Sequence, residues 1–455
     1  MASRYSCPML NTLREYFRFT VLMALLSGCN REIVPQPEQE EPVRLQAVKV
    51  ELRQSNGTFQ LYRANQPYYI TGGGYFLRNG GGIRYLDRLA ACGGNSIRTW
   101  STQDAKQELD SALKYGLTVT VGLDVARERL GFDYNNTEAV AKQLQEMRAE
   151  VLKYKDHPAL LMWGIGNELN MSYTNPKVWD AVNDIAKMIH EVDPNHPTTT
   201  MLADLTQPEV VYIKTRCPAI DLLSVNMYGA LPKAPNLVRD YGWEGAYLVS
   251  EWGHNAYWEV PETAWRAPIE QNSREKAEDY KVRYETTIKA DPERCLGSYI
   301  FLWGQKQERT PTWFSLFTEA GEATEGVDMM QYLWTGSWPQ NRAPRLEFML
   351  LDGKRAWENS YVQPGQRYPV TVKVTDPDND AITYRWELLP ESTAITEGGD
   401  AETRPLAIAG LVTSGSDGQA TLKAPDIEGA YRLFVYATDG KNKVATANMP
   451  FFVLK

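Results

Sequence analysis

Two short apolar runs in this chain end in a glutamate. One reads Leu161-Met162-Trp163-Gly164-Ile165-Gly166-Asn167-Glu168, and the other reads Tyr247-Leu248-Val249-Ser250-Glu251-Trp252-Gly253-His254. Each run suits a strand buried on both faces, with its carboxylate where the strand should open toward solvent. Two carboxyl groups can divide acid and nucleophile work on one bond. The protonated one donates to a leaving oxygen, and the ionised one attacks carbon. On a glycosidic bond, retention of configuration needs the pair about 5–5.5 Å apart. A lone Asn-Glu at a strand end is more often a cap or a surface pair, so the elements carrying both runs decide the matter.

From about Gln46 to Asn341 short apolar strands alternate with longer helical patterns. The strand candidates are Tyr68–Ile70, Ser96–Arg98, Thr118–Leu123, Leu160–Gly164, Thr198–Met201, Leu222–Val225, Ala246–Ser250 and Gly297–Phe301. Helical stretches are clearest at Asp104–Tyr115, Thr137–Tyr154, Asn175–Val192 and Ser273–Ala290. Asp104 and Thr137 have N-cap residue types, and Gly116 follows its helix as a C′ glycine would. This α/β pattern predicts a (β/α)8 TIM barrel over 46–341. An open dinucleotide-binding sheet fits less well, because Gly72-Gly73-Gly74 after the first strand lacks the GxGxxG spacing. In such a barrel, functional side chains collect at the C-terminal strand ends. The fourth and seventh strands lie across it from each other, so Glu168 and Glu251 can meet over its mouth. Before the first strand, Val48–Glu51 and Phe59–Tyr62 flank Asn56-Gly57. They read as a β-hairpin capping the barrel's bottom. Over 342–455 the texture changes to alternating strands: Tyr368–Val374, Ile382–Leu389, Gln419–Lys423 and Tyr431–Ala437. Gly, Pro, Asp and Asn separate them, which predicts a C-terminal immunoglobulin-like β-sandwich without a disulfide.

With these elements in place, Gly166-Asn167-Glu168 and Ser250-Glu251-Trp252-Gly253 resemble the motifs of the clan of (β/α)8 retaining glycoside hydrolases. Within it the chain looks most like the catalytic barrel of the β-galactosidase/β-glucuronidase family. It also has similarity to cellulase-type and β-1,3-glucanosyltransferase barrels. The resemblance covers roughly Pro67 to Trp334. It implies that Glu168 is the acid/base and Glu251 the nucleophile, and that Asn167 hydrogen-bonds the sugar 2-hydroxyl. It further implies that Arg98, ending the second strand, sits beside the nucleophile and favours its ionised form. Tyr228, after the sixth strand, would donate to the nucleophile, and Trp303, after the eighth, would floor the reacting sugar's site. Arg98 alone would more often be a salt-bridge residue, and Trp303 alone more often core. Members of that family carry a jelly-roll domain before the barrel; Arg31 to Pro67 is too short for one.

Other residues are weighed against the same mouth. His254 is expected to touch substrate or Glu251, with a structural hydrogen bond as its other role. Tyr173, Tyr257, Trp258, Trp265 and the stretch Thr310–Phe314 could supply aromatic subsites. His157, His190 and His196 lack ligand spacing, so no catalytic metal and no cofactor are expected. Asp376-Pro377-Asp378-Asn379-Asp380 resembles the acidic loops of cadherin-like and PKD-like modules. It reads as an Asx-rich turn rather than a calcium site. Cys92, Cys217 and Cys295 lack CxxC spacing and read as small core residues.

The 455-residue chain carries a net charge of −9, which disfavours nucleic acid as a partner. Its 13 Trp and 25 Tyr suit either core packing or the faces of sugar rings. Arg4, Arg14 and Arg18 precede the apolar run Phe19–Leu26, which is too short to span a bilayer. The run ends in Leu26-Ser27-Gly28-Cys29, which resembles a bacterial lipobox. A lipoprotein signal peptide over 1–28, lipidation at Cys29 and an extended Pro/Glu-rich tether over 29–45 are expected. The chain would then sit outside the cytoplasm, anchored to a bacterial membrane through its lipid. The combined reading is a retaining β-glycosidase, hydrolysing or transglycosylating a carbohydrate substrate. The rival from another class is a non-catalytic glycan-binding surface lipoprotein on a barrel scaffold.

Overall fold

The computed structural model describes residues 45–77, 85–396 and 399–455. The expected leader, Cys29 and almost all of the tether lie outside these residues. Eight parallel strands close into a barrel in chain order. They are β4 (Ile70–Gly74), β5 (Ser96–Arg98), β6 (Thr118–Leu123), β7 (Leu160–Asn167), β8 (Thr198–Ala203), β9 (Leu222–Asn226), β10 (Tyr247–Trp252) and β11 (Cys295–Ile300). Closure comes from the β11–β4 pairing, Gly297 opposite Ile70 through Ile300 opposite Gly73. The barrel of the α/β class is therefore as expected, with one informative difference. The first barrel strand, expected over Tyr68–Ile70, begins at Ile70 and runs through Gly72-Gly73-Gly74, while Tyr68 ends a strand of a separate sheet. A side chain at Gly72 would meet the Tyr299 ring at 2.6 Å, and one at Gly73 would meet Trp303 Cβ at 2.6 Å. These glycines let aromatic rings fill the barrel against bare backbone. Tyr299 uses that space to bond Ser96 Oγ at 2.8 Å and Thr120 Oγ1 at 2.7 Å beneath the site.

Helices α1 (Leu86–Ala91), α2 (Ala105–Lys114), α3 (Thr137–Tyr154), α4 (Lys177–Val192), α5 (Gln207–Arg216), α6 (Ala234–Asp240), α7 (Ser273–Arg283) and α8 (Glu325–Thr335) complete the described units. Asn136, rather than Thr137, caps α3 by accepting from Ala139 N–H at 3.1 Å. Asn272 and Glu275 form a reciprocal capping box at α7. Its expected continuation to Ala290 is a π-helical turn over Tyr284–Ile288. Burial of an apolar face holds each helix on the barrel: α4 places Val182, Ile185 and Ile189 in the main core. Cys92, Cys217 and Cys295 are all buried free thiols.

A three-stranded sheet, β1 (Val50–Ser55), β2 (Thr58–Arg63) and β3 (Gln66–Tyr68), precedes the barrel. Asn56 and Gly57 both have positive φ at the β1–β2 turn. Val50 and Leu61 pack with Leu161, Leu222, Ala246 and Leu296, which lie at or beside the starts of barrel strands, so this sheet covers the bottom.

The C-terminal region stacks two four-stranded sheets. One contains β12 (Arg345–Leu351), β14 (Arg367–Thr375), β17 (Gln419–Lys423) and β16 (Val412–Ser414). The other contains β13 (Ser360–Val362), β19 (Val444–Val453), β18 (Gly429–Thr438) and β15 (Thr383–Pro390). Leu346, Val370 and Leu422 of the first meet Leu433, Val435 and Phe451 of the second in a separate core, making a sandwich. In its acidic turn, Asp376 accepts from the N–H groups of Asp378 and Asp380 at 2.8 and 3.0 Å. Lys441 bonds Asp380 at 2.6 Å.

A buried polar cluster joins barrel and sandwich. Lys276 on α7 bonds Glu270 at 2.5 Å and the carbonyls of Thr312 and Trp313. Glu270 also accepts from Thr310 and from Asn448 on β19, both at 2.6 Å. The sandwich thereby grips the barrel loop that follows β11.

Candidate active site

The C-terminal strand ends open into a cavity of 640 Å³ that contains both glutamates. Glu168 follows β7 and has φ +53°, with Gly166 at φ +73° just before it. This turn aims the carboxylate inward, and the Glu168 N–H is tied to the Met201 carbonyl at 2.9 Å. A non-glycine residue in this left-handed region is uncommon, and such strain collects at functional sites. Glu251 lies within β10 and is 6% exposed.

Three donors converge on Glu251. Arg98 bonds Oε1 at 2.5 Å, Trp100 Nε1–H donates to Oε1 at 2.9 Å, and Tyr228 OH donates to Oε2 at 3.2 Å. Arg98 is 1% exposed and spreads its guanidinium over the Trp100 ring at 4.5 Å. Its other terminal nitrogen bonds Asn167 Oδ1 at 2.5 Å. Asn226 Nδ2 donates both to Asn167 Oδ1 at 3.1 Å and to Glu168 Oε1 at 2.9 Å. Its own oxygen accepts from Ser250 Oγ at 2.7 Å. A continuous chain thus runs Glu251–Arg98–Asn167–Asn226–Glu168. With both bonds to Asn167 made at oxygen, its NH2 group is turned to the cavity as a donor.

The two carboxyls stand in unlike surroundings. Burial, then the negative charge of Glu251, push Glu168 up to about 7, against the Asn226 bond and the Arg98 charge, which favour its ionised form. Tyr228 is raised well above its ordinary value, by burial first and then by Glu251, and so stays a donor. Of the residues expected here, Glu168, Glu251, Asn167 and Tyr228 line the cavity, and Arg98 lies directly behind it.

Trp303 is not at the mouth. It is fully buried, bonds the Tyr85 carbonyl at 2.8 Å and packs against Phe317 and Trp334. Strand β11 ends at Ile300, so the aromatic side chain that enters the cavity is Phe301, two positions earlier. Trp303→Ala should therefore cost about 3–5 kcal/mol of stability, the usual effect of emptying a buried Trp site. Denaturant melts should show that loss while KM of the folded fraction stays near wild type.

His254 is corrected in the same way. It is fully buried, bonds the Trp313 carbonyl at 2.6 Å and stacks on Phe314. Burial and then the nearby Lys276 charge lower it well below its ordinary value, so it is a neutral structural imidazole. Trp313 and Phe314 are buried with it, whereas Tyr257 and Trp258 do reach the cavity. Tyr173 instead packs on Trp179, and Trp265 on Tyr361 and Phe452. Sequence reasoning did not single out Trp100, Asn226, Phe76 or the Lys306–Glu308 pair. Trp100 lies two positions after Arg98 and Asn226 two positions before Tyr228, and that nearness to strand ends was their signal. Phe76 faces the cavity by stacking on Trp100, with ring centroids 4.1 Å apart. Lys306 pairs with Glu308 at 2.5 Å on the far wall. Elsewhere the half-buried Asp376 and Asp380 converge with the exposed Asp378; among the described residues no other acids stand close enough together to hold a metal ion.

Residues 89–254 match the family model for the TIM barrel domain of glycosyl hydrolases family 2. The match spans both glutamates. No match was found among curated proteins. Among solved structures, the chain is similar to Bifidobacterium dentium β-glucuronidase complexed with coumarin-3-O-glucuronide. They share 17% identity and a TM-score of 0.50, covering 64% of this chain and 49% of that one. It is similarly related to the β-D-glucuronidase of Dictyoglomus thermophilum, with 17% identity and a TM-score of 0.50, covering 64% and 54%. The chain thus spans about half the length of these structures. The likeness to them is one of fold. The closed eight-stranded parallel barrel and the match over residues 89–254 agree: that part of the chain is similar to the TIM barrel domain of glycosyl hydrolases family 2.

Proposed function

We propose that the chain is a retaining β-glycosidase, with Glu251 as nucleophile and Glu168 as acid/base. One observation carries this reading. Two glutamates share a cavity, one gripped by three donors and the other raised to about 7. Opposed environments of this kind divide two carboxyls between base and acid roles. In the first step a Glu251 oxygen attacks C1 of the sugar. The C1–O bond breaks, and the Glu168 proton goes to the departing oxygen. In the second step ionised Glu168 takes a proton from water, whose oxygen attacks C1 and releases Glu251. A sugar hydroxyl in place of that water gives transglycosylation. Asn167 would donate its NH2 to the 2-hydroxyl, a contact that strengthens in the transition state. Phe76, Trp100, Trp258 and Phe301 offer apolar faces to the sugar ring.

Glu168→Ala should lower kcat/KM on unactivated β-glycosides by about 10²–10⁴-fold. On p-nitrophenyl glycosides, whose leaving group needs no proton, the loss should be much smaller. An equal loss on both substrates would remove Glu168 from the acid role. The wild-type profile follows from the sign of the shift. Glu168 must hold its proton in the first step, so kcat/KM should fall as pH rises through about 7. A profile flat to pH 9 would contradict the assignment.

We also propose that Cys29 is lipidated and holds the enzyme at the outer side of a bacterial membrane. Its support is the basic leader and the short apolar run ending in Leu26-Ser27-Gly28-Cys29. Among the described residues no helix is long and apolar enough to cross a membrane. Cys29→Ala should move the protein out of the membrane fraction, and unchanged fractionation would oppose lipidation.

A further inference from the structure

Between β15 and β16 lies a long connection, 391–411, whose described residues, 391–396 and 399–411, reach the barrel mouth. Loops of more than about 12–15 residues without regular structure are uncommon in compact domains and usually carry function. Of its described residues, Ile395, Thr396, Gly399 and Asp400 line the cavity that holds Glu168 and Glu251. Three contacts latch it to the barrel. Arg129, after β6, grips Asp400 through two bonds of 3.0 and 3.2 Å. Lys306, after β11, donates to the Gly399 carbonyl at 2.6 Å. The Arg309 N–H donates to Glu402 Oε2 at 2.6 Å. On the sandwich side Arg404 of the same connection bonds Glu387 on β15 at 2.8 Å. Thr396 Oγ1 turns inward to the Asp400 carbonyl at 3.0 Å. Of the cavity-lining residues of the connection, Thr396 and Asp400 are therefore tied up in bonds that hold it in place. Ile395 beside them lines the same cavity with an apolar side chain and is 62% exposed.

A groove open at both ends lets a polymer run through it. A wall at one end stops the chain after the number of rings the cavity holds. At 640 Å³ the cavity has the size of a small-ligand pocket, about 300–1,000 Å³, rather than of a polymer groove. We propose that the 391–411 connection is a strap that walls one end of the sugar site, so that the enzyme acts on short β-linked oligosaccharides and chain ends rather than on the interior of polysaccharides. The proposal rests on the glycosidase reading above. It makes the sandwich part of the specificity site rather than a spacer.

The test begins with wild type on the p-nitrophenyl β-galactoside, β-glucoside, β-glucuronide and β-mannoside. The β-linked di- to hexasaccharides of the sugar turned over then give kcat/KM against chain length. Arg129→Ala/Asp400→Ala unlatches the strap, and should raise the hexasaccharide-to-disaccharide ratio of kcat/KM about tenfold. Ile395→Trp, at an exposed position, thickens the wall and should lower the same ratio. It carries the test if the unlatched variant does not fold. A ratio equal to wild type in the folded variants overturns the strap, even where overall activity changes. Absence of wild-type turnover on every glycoside and oligosaccharide would instead sink the glycosidase reading.

Discussion

Glu251→Ala should lower kcat on any β-glycoside the wild type cleaves by about 10⁵-fold or more, about 7 kcal/mol of barrier. The reason lies in how the residue is held. Arg98, Trp100 and Tyr228 fix both oxygens on a rigid strand, so the attacking atom is pre-positioned and no other carboxylate shares that grip. Alanine removes the nucleophile but leaves its three donors; Arg98 loses its buried ion-pair partner while keeping its bonds to the Ser250 carbonyl and Asn167, so some stability is lost as well and turnover is read on the folded fraction. Steady-state kinetics on an aryl β-glycoside checks the loss. Azide should restore part of the turnover by entering the vacated space and attacking C1. Retention of more than about a hundredth of wild-type activity, against the loss expected for a removed nucleophile, would exclude Glu251 from the role.

Arg98→Ala should damage stability and activity together. Arg98 is buried and touches Glu251, the Ser250 carbonyl and Asn167 at once. Its ion pair with Glu251 is shielded, with side-chain exposures of 1% and 8%, so solvent screening is weak. Removing one partner of a buried pair leaves a buried carboxylate without its cation, at a cost of about 3–5 kcal/mol. Asn167 also loses the bond that turns its NH2 toward substrate. The expected kcat loss is about 10²–10³-fold, the size seen when one preorganised electrostatic donor is lost. Arg98→Lys restores a charge but not the fork that reaches two partners, so it should recover stability more than activity. Near-wild-type melting and turnover in Arg98→Ala would show that the pair neither holds the barrel mouth nor supports the chemistry.

Most of the barrel was legible because parallel strands buried on both faces leave continuous apolar runs. Leu222–Val225 and Thr118–Leu123 were read almost to their ends for that reason. Glu168 and Glu251 stood out because a carboxylate ending such a run has little structural purpose. Gly72-Gly73-Gly74 misled, since glycine ordinarily ends a strand. Here its missing side chain is what Tyr299, Trp303 and Trp100 require. Phe301 and Trp303 are alternate residues near one strand end. Which of them enters the cavity depends on where the strand stops, and composition does not encode that. His254 was drawn to the site by its nearness to Glu251 in sequence, but the turn after β10 carries it into the packing around Phe314. The strap was least legible. Its latch joins Arg129 to Asp400 across 271 positions, and each residue alone reads as an ordinary surface charge.

The central claim is a covalent bond between Glu251 and sugar, and trapping it is the most direct measurement. The enzyme is incubated with the 2-deoxy-2-fluoro β-glycosyl fluoride of the sugar it cleaves. The 2-fluorine slows both steps, and the fluoride leaving group offsets this only in the first, so a glycosyl-enzyme accumulates, and peptide mass spectrometry locates the label. One added glycosyl group is expected, on the peptide containing Glu251 and on that side chain. A label on any other residue, or a first-formed product of inverted configuration from the natural substrate, would contradict it.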